Sequence, residues 1–260
     1  MGTLTMVADH GRVRVVSLAR EPQLNAMCTE LIDELKAAIS AAERDDRIGC
    51  IVLRGTGHRA FCAGADLGEI LGADHEQARL FINKGHALMD AVSNANLPVI
   101  AAVDGWALGG GMELALACHL IIGSTRARFG LPEAKIGCMP GFGGTQRIFD
   151  LTSKSFAMRM LLVGEPVHAD EAYLHGLLAF EPIAPEDFHA RVLEVATAIA
   201  NGSKTGQERI LRAARLAVHP AALEYEAALA AAAISSADGQ EGISAFNEKR
   251  TPNFHRSSHD

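Results

Sequence analysis

Three consecutive glycines precede a carboxylate in the segment Gly105-Trp-Ala-Leu-Gly-Gly-Gly-Met-Glu-Leu-Ala-Leu-Ala117. The residues after the glycines are almost all apolar, which predicts a buried helix at 110–118. The first N–H groups of a helix lack partners within the helix and stabilise negative charge, and glycine lets a ligand approach them closely. The segment therefore predicts an oxyanion site beside an acid, Glu113.

Glu113 lies between two apolar residues, Met112 and Leu114, so its side chain is expected inside the protein. An ionised carboxylate in an apolar interior is costly unless it has a partner or a shifted pKa. Two interpretations stay open. Either Glu113 does chemistry beside the glycines, or it meets an unseen arginine while the glycines only let a helix pack closely on a sheet.

The flanking sequence predicts an α/β domain, because short apolar runs alternate with segments of helical spacing. The run Pro98-Val-Ile-Ala-Ala-Val103 ends at Asp104-Gly105, as a buried strand that ends in a turn does. A ligand at the glycines would therefore lie at the carboxyl end of a strand. Further strands are predicted at 11–18, 50–53 and 120–122, and helices at 31–42 and 75–95.

Two helix starts carry polar side chains of the capping type. Thr29 is expected to cap the helix that contains Leu31 and Ile32, and Asp66 with Glu69 has the spacing of a capping box. From Pro185 onward the chain is expected to be nearly all helical, with alanine-rich segments at 205–218 and 221–237, interrupted at His219-Pro220, and a last helix at 241–250. Alanine buries little apolar area, so these helices need a large partner surface, which another subunit or the chain's own core supplies.

Composition excludes several classes of function. The chain has 260 residues, of which 48% are hydrophobic, and a formal net charge of −7 without a dense Lys/Arg block. This argues against nucleic acid or an anionic membrane as the main partner. No apolar segment approaches the roughly 18 residues of a membrane span and no signal-peptide core is present, so a cytoplasmic protein is expected.

The five cysteines are scattered and contain no C-x-x-C pair. An odd number without metal-ligand spacing predicts a reducing compartment and no structural zinc. Each cysteine is interpreted as a small core residue, including Cys62, for which no activating base is identified.

A second acid, Glu133, follows the turn Phe129-Gly-Leu-Pro-Glu133, twenty positions after Glu113. Two carboxylates in one pocket acquire different proton affinities, which suits coupled general acid and general base chemistry. Together with the loop Ala60-Phe-Cys-Ala-Gly-Ala-Asp66, these segments form a candidate site, although their spacing alone does not show that they meet.

The chain resembles the enoyl-CoA hydratase/isomerase family, the crotonases, over nearly its whole length. The matching motifs, in order, are Arg20-Glu-Pro-Gln-Leu-Asn-Ala26, Phe61-Cys-Ala-Gly-Ala-Asp-Leu67, Pro98-Val-Ile-Ala-Ala-Val-Asp-Gly105, Ala107-Leu-Gly-Gly-Gly-Met-Glu-Leu114, Phe129-Gly-Leu-Pro-Glu133, Pro140-Gly-Phe-Gly-Gly-Thr-Gln-Arg147 and Glu241-Gly-Ile-Ser-Ala-Phe-Asn-Glu-Lys-Arg250. The resemblance implies an α/β spiral of strand-strand-helix repeats over 1–200, which holds the CoA and catalytic site. It also implies a C-terminal helical region over 201–260 that builds homotrimers, often paired into homohexamers.

The resemblance also implies residue roles. The backbone N–H groups of Ala65 and Gly110 would bind the thioester oxygen and meet developing enolate charge. Glu113 would hold and help activate water for attack at C3, and Glu133 would exchange the proton at C2. The implied contacts with CoA or substrate are Gln23, Leu24, Ala26, Ala63, Asp66, Leu67, Gly109, Pro132, Gly141, Phe246 and Lys249. For Lys249, a solvated helix charge is an equal alternative.

The intact glutamate pair favours an enoyl-CoA hydratase that uses no metal and no redox cofactor, with coenzyme A as part of the acyl-CoA thioester substrate. Two alternatives stay open. One is an isomerase, or another crotonase-type reaction on a branched or aromatic acyl-CoA. The other is a non-catalytic acyl-CoA-binding protein. The sequence departs from the family at His119, where Asp is common, and at Gly68, where a long side chain is frequent. His119 has no Cys or His partners at ligand spacing and is interpreted as structural.

Overall fold

The strands form two sheets within residues 3–214 and 220–252, the part of the chain that the computed structural model describes. In chain order they are β1 (Thr5–His10), β2 (Val13–Leu18), β3 (Cys50–Gly55), β4 (Ala60–Cys62), β5 (Val99–Val103), β6 (Trp106–Leu108), β7 (Leu120–Gly123), β8 (Arg128–Gly130) and β9 (Val167–His168). The larger sheet has the order β1-β2-β3-β5-β7, with only β1 antiparallel to its neighbour. The smaller sheet has the order β4-β6-β8-β9, with only β9 antiparallel.

Helices follow pairs of strands. They are α1 (Thr29–Glu43), α2 (Leu67–Ile70), α3 (His75–Ser93), α4 (Gly110–Ala117), α5 (Gly144–Leu151), α6 (Lys154–Val163), α7 (Ala169–Leu174), α8 (Pro185–Ala200), α9 (Lys204–Ala214), α10 (Pro220–Ile234) and α11 (Ala237–Asn247). Short 3-10 helices lie at Glu21–Gln23 and Glu133–Ile136. The sequence β3-β4-α2, β5-β6-α4 and β7-β8-helix confirms the predicted spiral of strand-strand-helix repeats.

The strands β3 and β5 in the middle of the larger sheet are buried on both faces over most of their length, which explains why they are largely apolar. Ile51 and Leu53 of β3 belong to the main core with α1 and α3, whereas Cys50 and Val52 belong to a second core on the other face. Phe188 of α8 completes this second core. Alternate residues of one strand therefore stabilise two separate layers of helices.

One expected helix cap is wrong, and an expected capping box forms only in part. The N-cap of α1 is Cys28, and Thr29 is the first helical residue. Its backbone N–H and hydroxyl both donate to Glu69, so Glu69 crosses to α1 instead of completing a capping box with Asp66. Asp66 does cap α2 and accepts the Gly68 N–H. The local spacing of Asp66 and Glu69 could not reveal that Thr29 of α1 donates to the Glu69 carboxylate.

The chain from Pro185 onward is helical, as predicted, in the described residues. α10 packs against α3, with Ala227, Ala230, Ala231 and Ile234 buried. For these side chains the chain's own core supplies the partner surface. Residues 215–219, including His219, and 253–260, including His255 and His259, lie outside the described residues. No described helix combines the length and apolar character needed to cross a bilayer.

Candidate active site

The carboxyl ends of three parallel strands meet at one edge of the smaller sheet. Cys62 at the end of β4 pairs with Ala107, and Leu108 at the end of β6 pairs with Gly130 at the end of β8. The three segments that follow these strands carry the residues singled out from the sequence. The fold therefore brings together the loop 63–66, the start of α4 and the turn that leads to Glu133.

The three glycines form the start of α4, with Gly109 as the residue before the helix. Gly109 has φ 50° and ψ −126°, a conformation that only glycine adopts without strain. Its N–H donates to the Gly130 carbonyl (2.9 Å), and its carbonyl accepts the N–H of Glu113 (2.9 Å). Gly110 is the first residue of the helix, where the N–H group points out of the helix end.

Ala65 follows Gly64, which lies next to this helix end. The Met27 backbone accepts from the Asp66 N–H and donates to the Gly64 carbonyl, both at 2.8 Å, so the peptide groups on either side of Ala65 are turned toward Met27. In an extended segment the N–H of Ala65 itself then points the opposite way. A Cβ atom added to Gly64 would lie 3.9 Å from the Gly110 nitrogen, which places the two predicted donor segments side by side.

Glu113 is 2% exposed and its carboxylate is held by backbone groups. Its Oε1 accepts the N–H of Phe142 (2.7 Å) and the N–H of Gly144 (2.8 Å). These charge-assisted bonds stabilise negative charge and fix the orientation of the carboxylate. The expected hidden partner therefore includes the loop before α5.

Glu133 approaches the same helix start from β8. It is the first residue of the 3-10 helix Glu133–Ile136 and is partly exposed. A Cβ atom at Gly109 would lie 3.0 Å from the Glu133 Oε1. The Glu133 carboxylate therefore reaches Gly109, just before α4, while Glu113 lies in the first turn of α4. Two carboxylates next to helix N–H groups can exchange protons with a bound substrate whose oxygen is held by those groups.

The loop that holds Glu113 is itself braced by polar side chains that the sequence analysis missed. Arg147 is 7% exposed and donates to the Phe142 carbonyl (2.9 Å), and it pairs with Asp90 of α3 at 3.4 Å. His86 of α3 contacts the Gly141 backbone. The pKa of His86 is lowered mainly by burial and, to a smaller extent, by the nearby positive charge of Arg147. These contacts cross between α3 and α5, so no local sequence pattern marks them.

The predicted CoA-binding segments lie next to each other. Ala63 donates to the Leu24 carbonyl (3.0 Å), and Arg20 pairs with Asp66 (2.9 Å). Gln23 is exposed, and the remaining members of this group are partly exposed, namely Leu24, Ala26, Ala63, Asp66 and Leu67. Such an arrangement can line a groove.

A buried asparagine fixes the geometry of the turn at residues 24–25. Leu24 and Asn25 both adopt left-handed φ values, 52° and 57°. The Asn25 side chain donates to the carbonyls of Thr56 (3.0 Å) and Ala60 (2.8 Å) and accepts the Arg20 N–H (3.0 Å). These bonds stabilise a strained turn, and asparagine tolerates this conformation better than most residues.

The other predicted contact residues occupy different environments. Pro132 leads into Glu133 and is partly exposed. Gly141 is buried, and a Cβ atom there would lie 2.6 Å from Ile82 of α3 and 2.8 Å from Ala230 of α10. Phe246 and Lys249, at the end of α11, are exposed.

Cysteine and histidine side chains near the site have structural surroundings. Burial raises the pKa of Cys62 to about 12, which keeps it a thiol. The Nδ1 of His119 accepts the Val99 N–H (2.9 Å), in keeping with a structural role. Among the described residues, Cys28, Glu30 and Glu69 place potential metal ligands within 4.8 Å of one another, but Glu69 is bonded to Thr29.

Known proteins are similar to this chain over nearly its whole length. A sequence model of the family described as Enoyl-CoA hydratase/isomerase matches residues 9–257. A probable enoyl-CoA hydratase of Rhizobium meliloti is 38% identical over 253 residues, which cover 96% of both chains. The 2,3-dehydroadipyl-CoA hydratase of Escherichia coli is 37% identical over 96% of this chain and 97% of its own.

The fold is similar to a solved enoyl-CoA hydratase from Mycobacterium avium subsp. paratuberculosis, with a TM-score of 0.86 and 29% identity over 96% of this chain and 98% of that chain. The family match covers nearly the whole chain, and the spiral of strands and helices is the same. The chain belongs to the enoyl-CoA hydratase/isomerase family.

Proposed function

We propose that this protein is an enoyl-CoA hydratase that converts a trans-2-enoyl-CoA to a 3-hydroxyacyl-CoA, as in fatty-acid β-oxidation. The observation that carries the proposal is the approach of two glutamates, Glu113 and Glu133, to one helix start beside the loop of Ala65. The hydratases among the relatives support the same reaction.

The geometry supports a division of roles. The N–H groups of Ala65 and Gly110 bind the thioester oxygen and stabilise the negative charge that develops there when a nucleophile adds to C3. Glu113 orients and activates the water, whose oxygen bonds to C3. Glu113 accepts the proton that the water loses, and Glu133 supplies the proton that C2 gains. Transfer of a proton back from Glu113 to Glu133 restores both groups, so the net change is the addition of one water molecule across the double bond. The reaction needs no separate cofactor, since coenzyme A is part of the substrate.

The assembly and the compartment belong to the same proposal. A group of exposed apolar side chains lies on α5 to α7, and it comprises Phe149, Leu151, Met158, Leu162, Val163, Tyr173 and Leu174. An apolar surface of this kind supports a homotrimer or homohexamer. Five free cysteines, four of them buried, suit a reducing compartment such as the cytoplasm.

The test is consumption of purified trans-2-enoyl-CoA thioesters, followed as loss of the conjugated thioester absorbance, with product identified by mass as substrate plus one water. Rearrangement of a 3-enoyl-CoA without hydration of any 2-enoyl-CoA would replace the proposal by the isomerase alternative. Binding of acyl-CoA without any turnover would replace it by the non-catalytic alternative.

A further inference from the structure

The ring of Phe142 fills the gap between α3 and α4 beside the proposed reaction centre. Phe142 is 2% exposed. One edge of its ring, Cδ2 and Cε2, lies 3.1 Å from where a Cβ atom at Gly110 would stand. The opposite edge, Cδ1 and Cε1, lies so close to Gly85 that any side chain there would overlap it. The ring therefore spans the whole distance between the two helices.

The ring has no room to withdraw from the site. Gly85 blocks it at one edge, and the Phe81 ring lies beside it with centroids 5.6 Å apart. The backbone of residue 142 is also fixed, because its carbonyl accepts from Arg147 and its N–H donates to Glu113. Close-packed interiors resist displacement of such a group.

The proposed binding mode directs the acyl chain toward Phe142. With the thioester oxygen at Gly110 and C3 at Glu113, the carbons beyond C3 run toward the loop whose N–H groups, at Phe142 and Gly144, hold Glu113. The Phe142 ring is the side chain of that loop that packs against Gly110. The Met27 methyl group, 2.9 Å from a Cβ position at Gly110, narrows the same region from the other direction.

We infer that Phe142 closes the acyl pocket and restricts the enzyme to short-chain substrates. This inference rests on the proposed function and adds the substrate class. An acyl group of about four carbons ends before the ring, whereas a chain of ten carbons must displace it. Steric rejection of this kind changes kcat/KM by on the order of tenfold or more.

The test compares trans-2-butenoyl-CoA with trans-2-decenoyl-CoA. The native protein is expected to favour the four-carbon substrate at least tenfold in kcat/KM. Phe142→Ala, with Phe142→Leu as a milder variant that keeps more packing, should raise the decenoyl-to-butenoyl ratio at least tenfold. Phe188→Ala removes an equally buried ring from the second core and should leave the ratio at the native value.

Equal use of both substrates by the native protein would overturn the inference, and so would an unchanged ratio in a folded Phe142 variant. Failure of the proposed function looks different, because no enoyl-CoA would then be hydrated at all. Calorimetric titration with butanoyl-CoA and decanoyl-CoA decides the pocket size independently of turnover. A longer chain that binds the native protein no worse than the shorter one also overturns the inference.

Discussion

At the scale of single residues, the two glutamates are expected to act in the chemical step. Glu113→Gln keeps an oxygen that can accept the Phe142 and Gly144 N–H groups, so the local fold should persist. We expect Glu113→Gln and Glu133→Gln each to lower kcat by at least about 100-fold with little change in acyl-CoA binding, since general acids and bases act chiefly in the transition state. Steady-state kinetics with calorimetric binding measures both effects.

Glu186→Gln is the matched control, because Glu186 is an exposed residue at the start of α8. It should retain native activity. A folded Glu133→Gln protein with near-native turnover would remove Glu133 from the proposed role, and circular dichroism is needed to establish folding.

His86 should make stability depend on pH. Its pKa is lowered in the folded state by burial and by Arg147, with Asp90 opposing, while the unfolded chain has the ordinary value near 6.5. Below about pH 6.5 the unfolded state therefore binds a proton that the folded state resists, and the free energy of unfolding falls by up to about 1.4 kcal/mol per pH unit for one such group. Above that pH this group contributes no slope.

Urea unfolding at pH 7.5, 6.5 and 5.5 measures this effect. His86→Gln keeps a donor for the Gly141 backbone but does not titrate, so its slope below pH 6.5 should be smaller. His189, whose pKa is also lowered by burial, accounts for part of the slope that remains. Equal slopes for the native protein and His86→Gln would contradict the prediction.

At residue scale the burial of Glu113 could be predicted from the sequence, because this acid is locally conspicuous in an apolar run. The groups that hold it could not. Phe142 and Gly144 contribute backbone N–H groups, which carry no side-chain signature, and they lie about 30 residues further along the chain. The pairing of Arg147 with Asp90 could not be predicted either, because it depends on how α3 and α5 pack.

At the scale of elements, the three glycines before and within α4 should differ in their tolerance of alanine. A Cβ atom at Gly111 would overlap the Cys62 carbonyl, so Gly111→Ala should destabilise the protein by about 1–3 kcal/mol. Gly109→Ala adds backbone strain and crowds the Glu133 carboxylate, so activity should fall more than 10-fold. Gly110→Ala meets the flexible Met27 methyl group and the fixed edge of Phe142 at 3.1 Å, a smaller overlap than that of Gly111→Ala with the Cys62 carbonyl, and it should be the mildest of the three.

Thermal unfolding and kcat together rank these variants. Gly110→Pro adds a separate test, because it removes the N–H group outright and should lower kcat by about 10²–10³-fold if that group binds the oxyanion. A folded proline variant with ordinary activity would show that Gly110 serves only packing. If Gly111→Ala destabilised the protein least among the three alanine variants, that result would contradict the close approach of α4 to β4.

Element types were predictable where periodicity is strong, as in α3 and the apolar strands. Their tertiary partners were not. Thr29 has the residue type of a cap, yet its hydroxyl donates to Glu69 from another segment. For the alanine-rich helix, the sequence allowed two partner surfaces, another subunit or the chain's own core. The structure places Ala230 of this helix beside Gly141.

At the scale of the whole molecule, the exposed apolar side chains on α6 and α7 should lie in a subunit interface. Leu162 is 68% exposed and Leu174 is 80% exposed. We expect a trimer or hexamer at micromolar concentration, and Leu162→Glu with Leu174→Glu should shift the mass toward the monomer because buried carboxylates are costly. Analytical ultracentrifugation measures the masses.

Met6→Glu is the control, since Met6 of β1 is 60% exposed but lies outside this group and outside the C-terminal helices. It should leave the assembly intact. A monomer mass for the native protein would exclude the assembly, and a double variant that remains a trimer would place the interface elsewhere.

The packing of α10 on the loop before α5 also affects how the protein matures during synthesis. Ala230 lies against Gly141, yet roughly 90 residues separate α5 from the end of α10, and a ribosome needs on the order of 5–20 s to add them. During that interval a nascent chain can form both sheets while the loop beside Phe142 still faces water. The site is therefore expected to be completed after the bulk of the secondary structure has formed, because Gly141 lacks its contact with Ala230 until α10 has been made.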